Sequence, residues 1–366
     1  MRRMLFSMVA FLLISPTYVW ADDVELDQLF TPLIEKMMVD NSVYGFVFAV
    51  VSKEGVLFKK SYGVKNIYTG EPETNKSLFH MASVTKTFVA TALMQLQEQG
   101  KLDVDKPIID VLPYFVLVDA RYKDITARQL ASHISGMPDF DSDPWHDPDY
   151  DEVALERFVR HFVSHKYLTH NPNTTYQYSN TGYEILGDVI SKVADMPFED
   201  YVQEKILMPL GMVDSTLLIE AADMTKLNSL HNAPYKIKKI ADVYPYNRMH
   251  GPSSTLISNI DDMSKWLRAN LNGGMLNGNR ILKADTIKAM WQPALGQFDN
   301  IGFGWHRRLQ QDKQIIYHGG NDGFKSYVVM IPDLDIGFVM MSNTTTQPYH
   351  EFAKEITDML INYKGK

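Results

Sequence analysis

The sequence contains no cysteine among its 366 residues. Disulfide bonds are therefore excluded, and a chain of this composition must rely on its hydrophobic core for stability. The same absence excludes a thiol enzyme and a lipoprotein anchored through cysteine. The chain is long enough for one large domain or two closely packed domains, and its apolar content of 45% is ordinary for a globular protein.

An excess of basic residues is also missing. The formal net charge is −8 and no basic patch is evident, so we expect no nucleic-acid partner. After the N-terminal segment, no stretch approaches the roughly 18 consecutive apolar residues that a membrane-spanning helix needs. The sequence indicates neither repeats nor an oligomeric state. The motifs further along the chain, rather than its composition, indicate a small-molecule or peptide substrate as the partner.

The N-terminal segment has the pattern of an export signal. Arg2 and Arg3 precede an apolar run over residues 4–14, and Val19-Trp20-Ala21 provides small residues for cleavage. The run is too short to span a bilayer. We expect a signal peptide over residues 1–21 and a periplasmic or secreted protein, the alternative being a helix retained as an anchor.

The hydrophobic periodicity predicts strands near both ends of the chain and helices between them. Helices are predicted over 24–38, 85–99, 126–133, 151–164, 181–194, 198–207, 260–271, 283–291 and 351–363. Strands are predicted over 43–51, 55–60, 302–309, 314–318, 327–331 and 336–342. The pattern predicts an α+β fold in which both termini build one antiparallel sheet flanked by helices. The sheet part covers about 22–82 and 300–366 of a domain at 22–366, and a mainly helical insert covers about 101–299.

Ser83 and Lys86 are the first candidate catalytic pair. Positions i and i+3 of a helix share one face, so the Lys86 amine is within reach of the Ser83 hydroxyl. A lysine activates a serine as a base only when its pKa is lowered, and the apolar helix over 85–99 provides the burial. A capping serine followed by an exposed lysine is the structural alternative.

Tyr178 and Asn180 form the second candidate pair, in the loop before the predicted helix at 181–194. We expect a neighbouring lysine to lower the Tyr178 pKa, so that the phenol shares the role of the base. Asn180 then orients Lys86 or holds a substrate amide. The alternative is an aromatic staple with Asn180 as the helix N-cap.

The third motif is His318-Gly319-Gly320, followed by Asn321. Its glycines allow a backbone to approach a ligand closely, and a strand edge here could offer an N–H to an oxyanion together with the N–H of Ser83. The alternative is a hairpin turn over residues 319–323. His161 and His165 are spaced for a metal, but they lack a nearby carboxylate signature, so we expect no metal site.

The three motifs together resemble the serine β-lactamase and penicillin-binding-protein superfamily, in its class C β-lactamase, D-alanyl-D-alanine carboxypeptidase and family VIII esterase branch. That branch carries Ser-x-x-Lys, Tyr-x-Asn and Lys-Thr-Gly or His-x-Gly in this order. Supporting stretches are residues 125–137 (ITARQLASHISGM), 176–183 (YQYSNTGY) and 302–305 (GFGW). The resemblance covers about residues 25 to 360.

The resemblance implies roles for individual residues. Ser83 would be the nucleophile, Lys86 its activator and Tyr178 the general acid and base. The backbone N–H groups of Ser83 and Asn321 would form the oxyanion hole, and no cofactor or metal is implied. His318 stands where classical β-lactamases carry a lysine that holds the substrate carboxylate, and histidine is only partly charged near pH 7.

The sequence therefore predicts an exported serine hydrolase that forms an acyl-enzyme with an ester, a D-amino-acid peptide or a lactam. The departure at His318 favours an esterase or peptidase. A class C-like β-lactamase and a non-hydrolytic penicillin-binding or sensor protein of the same fold are the alternatives.

Overall fold

The computed structural model describes residues 21–140, 145–232 and 239–364. The predicted signal peptide lies outside these residues, except for its last position. Within this described part of the chain, no helix combines the length and the apolar composition that crossing a bilayer requires.

The described residues form ten α-helices and thirteen strands. The helices are α1 (Ala21–Asn41), α2 (Thr85–Glu98), α3 (Ala127–Ala131), α4 (Ala154–Arg157), α5 (Asn180–Ala194), α6 (Phe198–Val202), α7 (Gly251–Ser254), α8 (Ile260–Leu271), α9 (Ala284–Met290) and α10 (Tyr349–Lys364). The strands are β1 (Gly45–Val51), β2 (Val56–Asn66), β3 (Glu71–Pro72), β4 (Phe79–His80), β5 (His231–Asn232), β6 (Lys239–Ile240), β7 (Ile257–Ser258), β8 (Met275–Leu276), β9 (Asn279–Arg280), β10 (His306–Gln310), β11 (Lys313–Asp322), β12 (Phe324–Ile331) and β13 (Ile336–Ser342).

Seven of these strands form one antiparallel sheet in the order β10-β11-β12-β13-β1-β2-β3. β1 pairs with β13, with Phe48 opposite Met340, so the two ends of the chain meet in the centre of the sheet. Every residue of β1 and β13 is buried, because helices cover both faces of these central strands. The predicted α+β fold with a sheet built from both termini is confirmed.

The two faces of the sheet are covered by different helices. α1 and α10 cover one face, where Phe30 of α1 packs edge to face on Phe48 with ring centroids 5.1 Å apart. α8 packs on the other face against β1 and β13, and Trp266 of α8 stacks on Phe88 of α2 at 3.9 Å. This packing holds α2 between the sheet and the helical region.

α2 is buried over its first twelve residues, from Thr85 to Leu96. Gly100 follows the helix with a φ of +69°, the left-handed conformation that commonly ends helices. The predicted helix over 85–99 is therefore confirmed to within one residue. Its burial includes Lys86, whose side chain is completely enclosed.

The local structure departs from the sequence-based expectations over residues 151–164 and 319–323. The helix predicted over 151–164 is only the single turn α4 followed by a π-helical turn over Phe158–Phe162. The hairpin turn considered as an alternative for residues 319–323 is confined to the end of that range, because β11 continues through both glycines to Asp322. The chain reverses at Gly323, which has a φ of +88°.

Candidate active site

Ser83 lies in a tight turn directly before α2. The 3₁₀ turn covers Ala82–Val84, and Ala82 has a φ of +46°, which is costly for a residue with a side chain. Two contacts stabilise this turn: the Ala82 N–H donates to Nδ1 of His80 at 3.2 Å, and Ser326 Oγ donates to the Met81 carbonyl at 2.5 Å. The turn presents the half-buried Ser83 side chain to a cavity.

Gly320 lets β11 lie directly against this turn. A Cβ atom at Gly320 would overlap the Met81 carbonyl oxygen and Oγ of Ser326, so no side chain fits there. The sequence predicted that the glycines allow close approach to a ligand. The structure instead shows that Gly320 allows close approach of β11 to the turn that carries Ser83.

The Lys86 amine contacts three oxygen atoms. Its Nζ lies 2.9 Å from Ser83 Oγ, 2.7 Å from Asn180 Oδ1 and 2.7 Å from the Ser253 carbonyl oxygen. The last two oxygens only accept hydrogen bonds, so a neutral amine donates its two protons to them and directs its lone pair at Ser83. Burial lowers the Lys86 pKa to about 8, against the opposing effect of nearby carboxylates. The site thus places an amine that can lose its proton near neutral pH beside the serine.

The Tyr178 hydroxyl donates to Ser83 Oγ at 2.8 Å. Its ring packs on His133 with centroids 4.2 Å apart, and the Lys86 Nζ lies 5.1 Å from the ring centroid. Burial raises the Tyr178 pKa well above 10, which outweighs the lowering by the Ser83 hydrogen bond. The prediction of a lowered Tyr178 pKa is therefore wrong, and the phenol is a proton donor in the resting site.

Asn180 is the first residue of α5, and its side chain is free to reach Lys86 because Ser179 caps the helix. Ser179 Oγ accepts from the Gly182 N–H at 3.1 Å, so the alternative of Asn180 as the N-cap is wrong. Asp139 then fixes the Asn180 amide, since it accepts from both Asn180 Nδ2 and the Asn180 N–H at 3.0 Å. With Nδ2 turned to Asp139, Oδ1 faces Lys86.

Asp139 was not predicted from the sequence, and neither were the residues that support the Lys86 amine from behind. Glu184 is fully buried on α5, and its Oε2 accepts from the Ser253 N–H at 3.2 Å. Its other oxygen lies 3.3 Å from Nδ1 of His250. Glu184 lies four residues after Asn180, on the same face of α5. That spacing is the sequence signal that could have identified it.

His318 is buried in β11, and its Nδ1 lies 2.9 Å from the Gly319 carbonyl oxygen. Its ring centroid is 5.0 Å from that of His306. Burial lowers the His318 pKa well below 6.5, and the His306 and Lys86 charges lower it further. At neutral pH the position that holds a lysine in classical β-lactamases therefore carries an uncharged ring.

A cavity of about 350 Å³ joins these residues. It is lined by Ser83, Tyr178, Asn180, His306, Tyr317, His318, Gly319, Asn321, Asp322, Tyr349 and His350. Lys86 and Gly320 lie behind this lining. Ser83 and Asn321 both line the cavity. That their N–H groups form an oxyanion hole stays a prediction. Within the described residues, no group of three His, Asp or Glu side chains is arranged to hold a metal ion.

Comparison with known proteins places the chain among related sequences. The sequence model of the Beta-lactamase family matches residues 27–358. "Penicillin-binding protein 4" of Amycolatopsis lactamdurans is 29% identical over 325 residues, which cover 84% of this chain and 83% of that protein. "Beta-lactamase-like protein 2" of Dictyostelium discoideum is 28% identical over 348 residues. That match covers 90% of this chain but only 61% of the relative's length.

A solved structure described as a class C β-lactamase superposes with a TM-score of 0.75 at 20% identity, covering 89% of this chain and 93% of that one. This likeness shows that the fold is shared. The family match extends over nearly all of the described chain, including all three motifs around the cavity. The chain belongs to the Beta-lactamase family.

Proposed function

We propose that the protein is an exported serine hydrolase that works through a covalent acyl-enzyme on Ser83. The observation that carries this proposal is the contact between Ser83 Oγ and the buried Lys86 amine at 2.9 Å. A serine needs a base to become nucleophilic, and an amine with a pKa of about 8 is available as a base at neutral pH.

The proposed reaction begins when Ser83 Oγ bonds to the substrate carbonyl carbon and its proton passes to Lys86 Nζ. The carbonyl electrons move to the oxygen, which the N–H groups of Ser83 and Asn321 would stabilise. The bond to the leaving group then breaks, and the Tyr178 hydroxyl supplies the proton that the leaving group needs. The proton on Lys86 restores the phenol, because the Tyr178 pKa is far above that of the amine.

Deacylation repeats these steps with water as the nucleophile. The neutral Lys86 amine accepts the water proton, the tetrahedral intermediate collapses, the bond to Ser83 Oγ breaks, and Lys86 returns the proton to Ser83 Oγ. The products are a free acid and the regenerated serine. The substrate is an ester, a D-amino-acid peptide or a lactam.

The uncharged His318 favours an esterase or peptidase over a β-lactamase. A cation at this position would attract the carboxylate that β-lactams carry, and burial keeps His318 neutral at pH 7. We therefore expect faster turnover of p-nitrophenyl esters than of nitrocefin. The opposite order would favour a class C-like β-lactamase, and a stable penicillin adduct without turnover would favour a non-hydrolytic sensor.

Fluorophosphonate labelling followed by peptide mass spectrometry tests the nucleophile. The expected result is one labelled peptide containing Ser83, and no label in the Ser83→Ala variant. Label that persists in this variant would place the nucleophile elsewhere. Export is tested separately by the mass of the protein recovered from the periplasm or medium, which cleavage after Ala21 predicts to begin at Asp22.

A further inference from the structure

The lining of the cavity carries a negative side chain without a matching positive one. Asp322 is the one carboxylate in its lining, and no lysine or arginine is among the described residues that line it. The lining histidines are His306, His318 and His350. Burial lowers the pKa of each, for His306 to about 4, so these rings contribute little positive charge at pH 7.

Asp322 is placed to meet a ligand. It ends β11, it is half-buried, and it accepts a hydrogen bond from Ser254 Oγ through one oxygen, Oδ2. Among the described residues, no cationic group forms an ion pair with it. An unpaired carboxylate at a cavity wall attracts a cation, because the low dielectric of the surrounding protein strengthens the interaction.

Two lysines lie near this wall, and both have other contacts. Lys325 donates to Asn321 Oδ1 at 2.6 Å, and its ammonium lies 4.9 Å from the centroid of the Tyr349 ring. Lys86 is completely buried behind Ser83 and is held by oxygens of Asn180 and Ser253. Neither neutralises Asp322 by direct contact.

We propose that the cavity selects substrates that carry an ammonium group, which binds at Asp322, and disfavours substrates that carry a carboxylate. The inference rests on the proposed hydrolase function and specifies its substrate class. Asp322 is the specificity-determining residue, and Ser254 holds its carboxylate toward the cavity. The ammonium group can belong to the acyl part or to the leaving group of the substrate, because in both cases it lies close to the scissile carbonyl.

Two sets of matched esters test the charge preference. On the acyl side, the 4-nitrophenyl esters of β-alanine, butyric acid and succinic acid place an ammonium, a methyl or a carboxylate at equivalent positions. On the leaving-group side, acetylcholine is compared with its uncharged isostere 3,3-dimethylbutyl acetate. The readout is the ratio of kcat/KM for the charged ester to that for the neutral ester, in wild type and in Asp322→Asn.

In at least one set, the cationic-to-neutral ratio is expected to be at least about tenfold higher in wild type than in Asp322→Asn. Comparing enzymes rather than esters cancels the intrinsic reactivity of each ester. The succinate ester should be the poorest substrate of its set, and added salt should weaken the preference for the cation. Asp333→Asn makes the same charge change on an exposed turn beyond the far end of β12 and should keep the wild-type ratio.

The selectivity proposal is overturned if the ratio is the same in wild type and Asp322→Asn for both sets. It is also overturned if the succinate ester is preferred, since Lys325 would then dominate the cavity. These outcomes leave the hydrolase function intact when the butyrate ester is still cleaved in a Ser83-dependent way. Loss of that Ser83 dependence would instead overturn both proposals.

Discussion

At the scale of single residues, the proposed reaction depends on the protonation state of the Lys86 amine. Its pKa of about 8 means that the neutral, reactive form increases as the pH rises, about tenfold per unit below that value. Burial is the main cause of the low Lys86 pKa, and this burial is present before any substrate binds. A probe that reacts with Ser83 without a specific substrate should therefore report the Lys86 pKa.

We therefore expect the rate of fluorophosphonate labelling of Ser83 to rise with pH and to level off above about 8. The measurement is the second-order labelling rate between pH 6 and 10, limits chosen to bracket the pKa of Lys86 by about two units on each side. Lys86→Met should remove most of this labelling because it removes the base. A rate that does not change with pH in wild type would show that Lys86 is not the base.

Asp139 determines which atom of the Asn180 amide faces Lys86. Asp139→Ala removes the acceptor for Asn180 Nδ2, so the amide can turn and present a donor to the amine. We expect kcat to fall at least about tenfold, in line with the loss of a charge-assisted hydrogen bond at an active site.

A double-mutant cycle separates this positioning role from a general effect on stability. In an Asn180→Ala background, Asp139→Ala should cost little further activity, because the amide that it orients is gone. Additive losses in kcat would contradict the positioning role. The pH at which labelling levels off should also move in the single variant, since the contacts of the amine change.

The short spacing predicted Ser83 and Lys86 correctly as neighbours, whereas the resemblance to a known family placed Tyr178 and Asn180 beside them across 95 and 94 positions of the chain. The sequence did not predict Asp139, whose contact with Asn180 depends on a loop that folds back from 41 positions away. The wrong direction for the Tyr178 pKa has a similar cause. Burial, which dominates that shift, arises from packing that the motif does not encode.

At the scale of secondary-structure elements, the contact between β11 and the turn of Ser83 positions the proposed nucleophile. Gly320→Ala would place a methyl group on the Met81 carbonyl oxygen and on Ser326 Oγ. Since both are fixed by their mutual hydrogen bond, β11 must move away from the turn. We expect a loss of about 1–3 kcal/mol in the free energy of unfolding and a drop in Ser83 labelling of at least about tenfold.

Gly296→Ala is the matched control for this substitution. A Cβ atom there meets nothing within 4 Å, so neither stability nor labelling should change. Thermal denaturation and the labelling rate measure the two effects. A Gly320→Ala protein with both values of the wild type would show that the close approach of β11 is unnecessary.

The long elements were predicted well because their periodicity is strong, as for α2 and β13. The boundaries near the site were predicted less well. The glycines of β11 resembled a hairpin turn, but pairing with β12 keeps Gly319 and Gly320 extended. Two adjacent glycines can form a turn, or they can stay extended and let a neighbouring backbone approach closely. The outcome depends on the partner strand, which the local sequence does not specify.

At the scale of the whole molecule, the fold joins segments that are far apart in the sequence. Residues from both termini share the central strands, and the apolar runs at both ends of the chain allowed this to be predicted. A buried polar cluster behind β3 was not predicted. There, Glu73 accepts hydrogen bonds from Asn343 Nδ2 at 3.1 Å and from Asn228 Nδ2 at 3.4 Å.

The protonation of Glu73 makes the stability of the fold around this buried polar cluster depend on pH. Burial raises its pKa to about 7 from an ordinary value of 4.5, so the folded protein favours the protonated form. Between these values the folded state binds more protons than the unfolded state. The contribution of Glu73 to the free energy of unfolding is therefore complete below about pH 4.5 and is lost as the pH rises to about 7.

Replacing Glu73 by glutamine removes this titration. The free energy of unfolding of Glu73→Gln, relative to wild type, should increase between pH 5 and 8 by up to about 3 kcal/mol. Urea denaturation at several pH values measures this slope, which is independent of any constant cost of the new amide. Glu54→Gln makes the same substitution at an exposed position and is the control measured alongside it. A flat difference for Glu73→Gln would mean that Glu73 stays ionised inside the fold, which its enclosed position makes unfavourable.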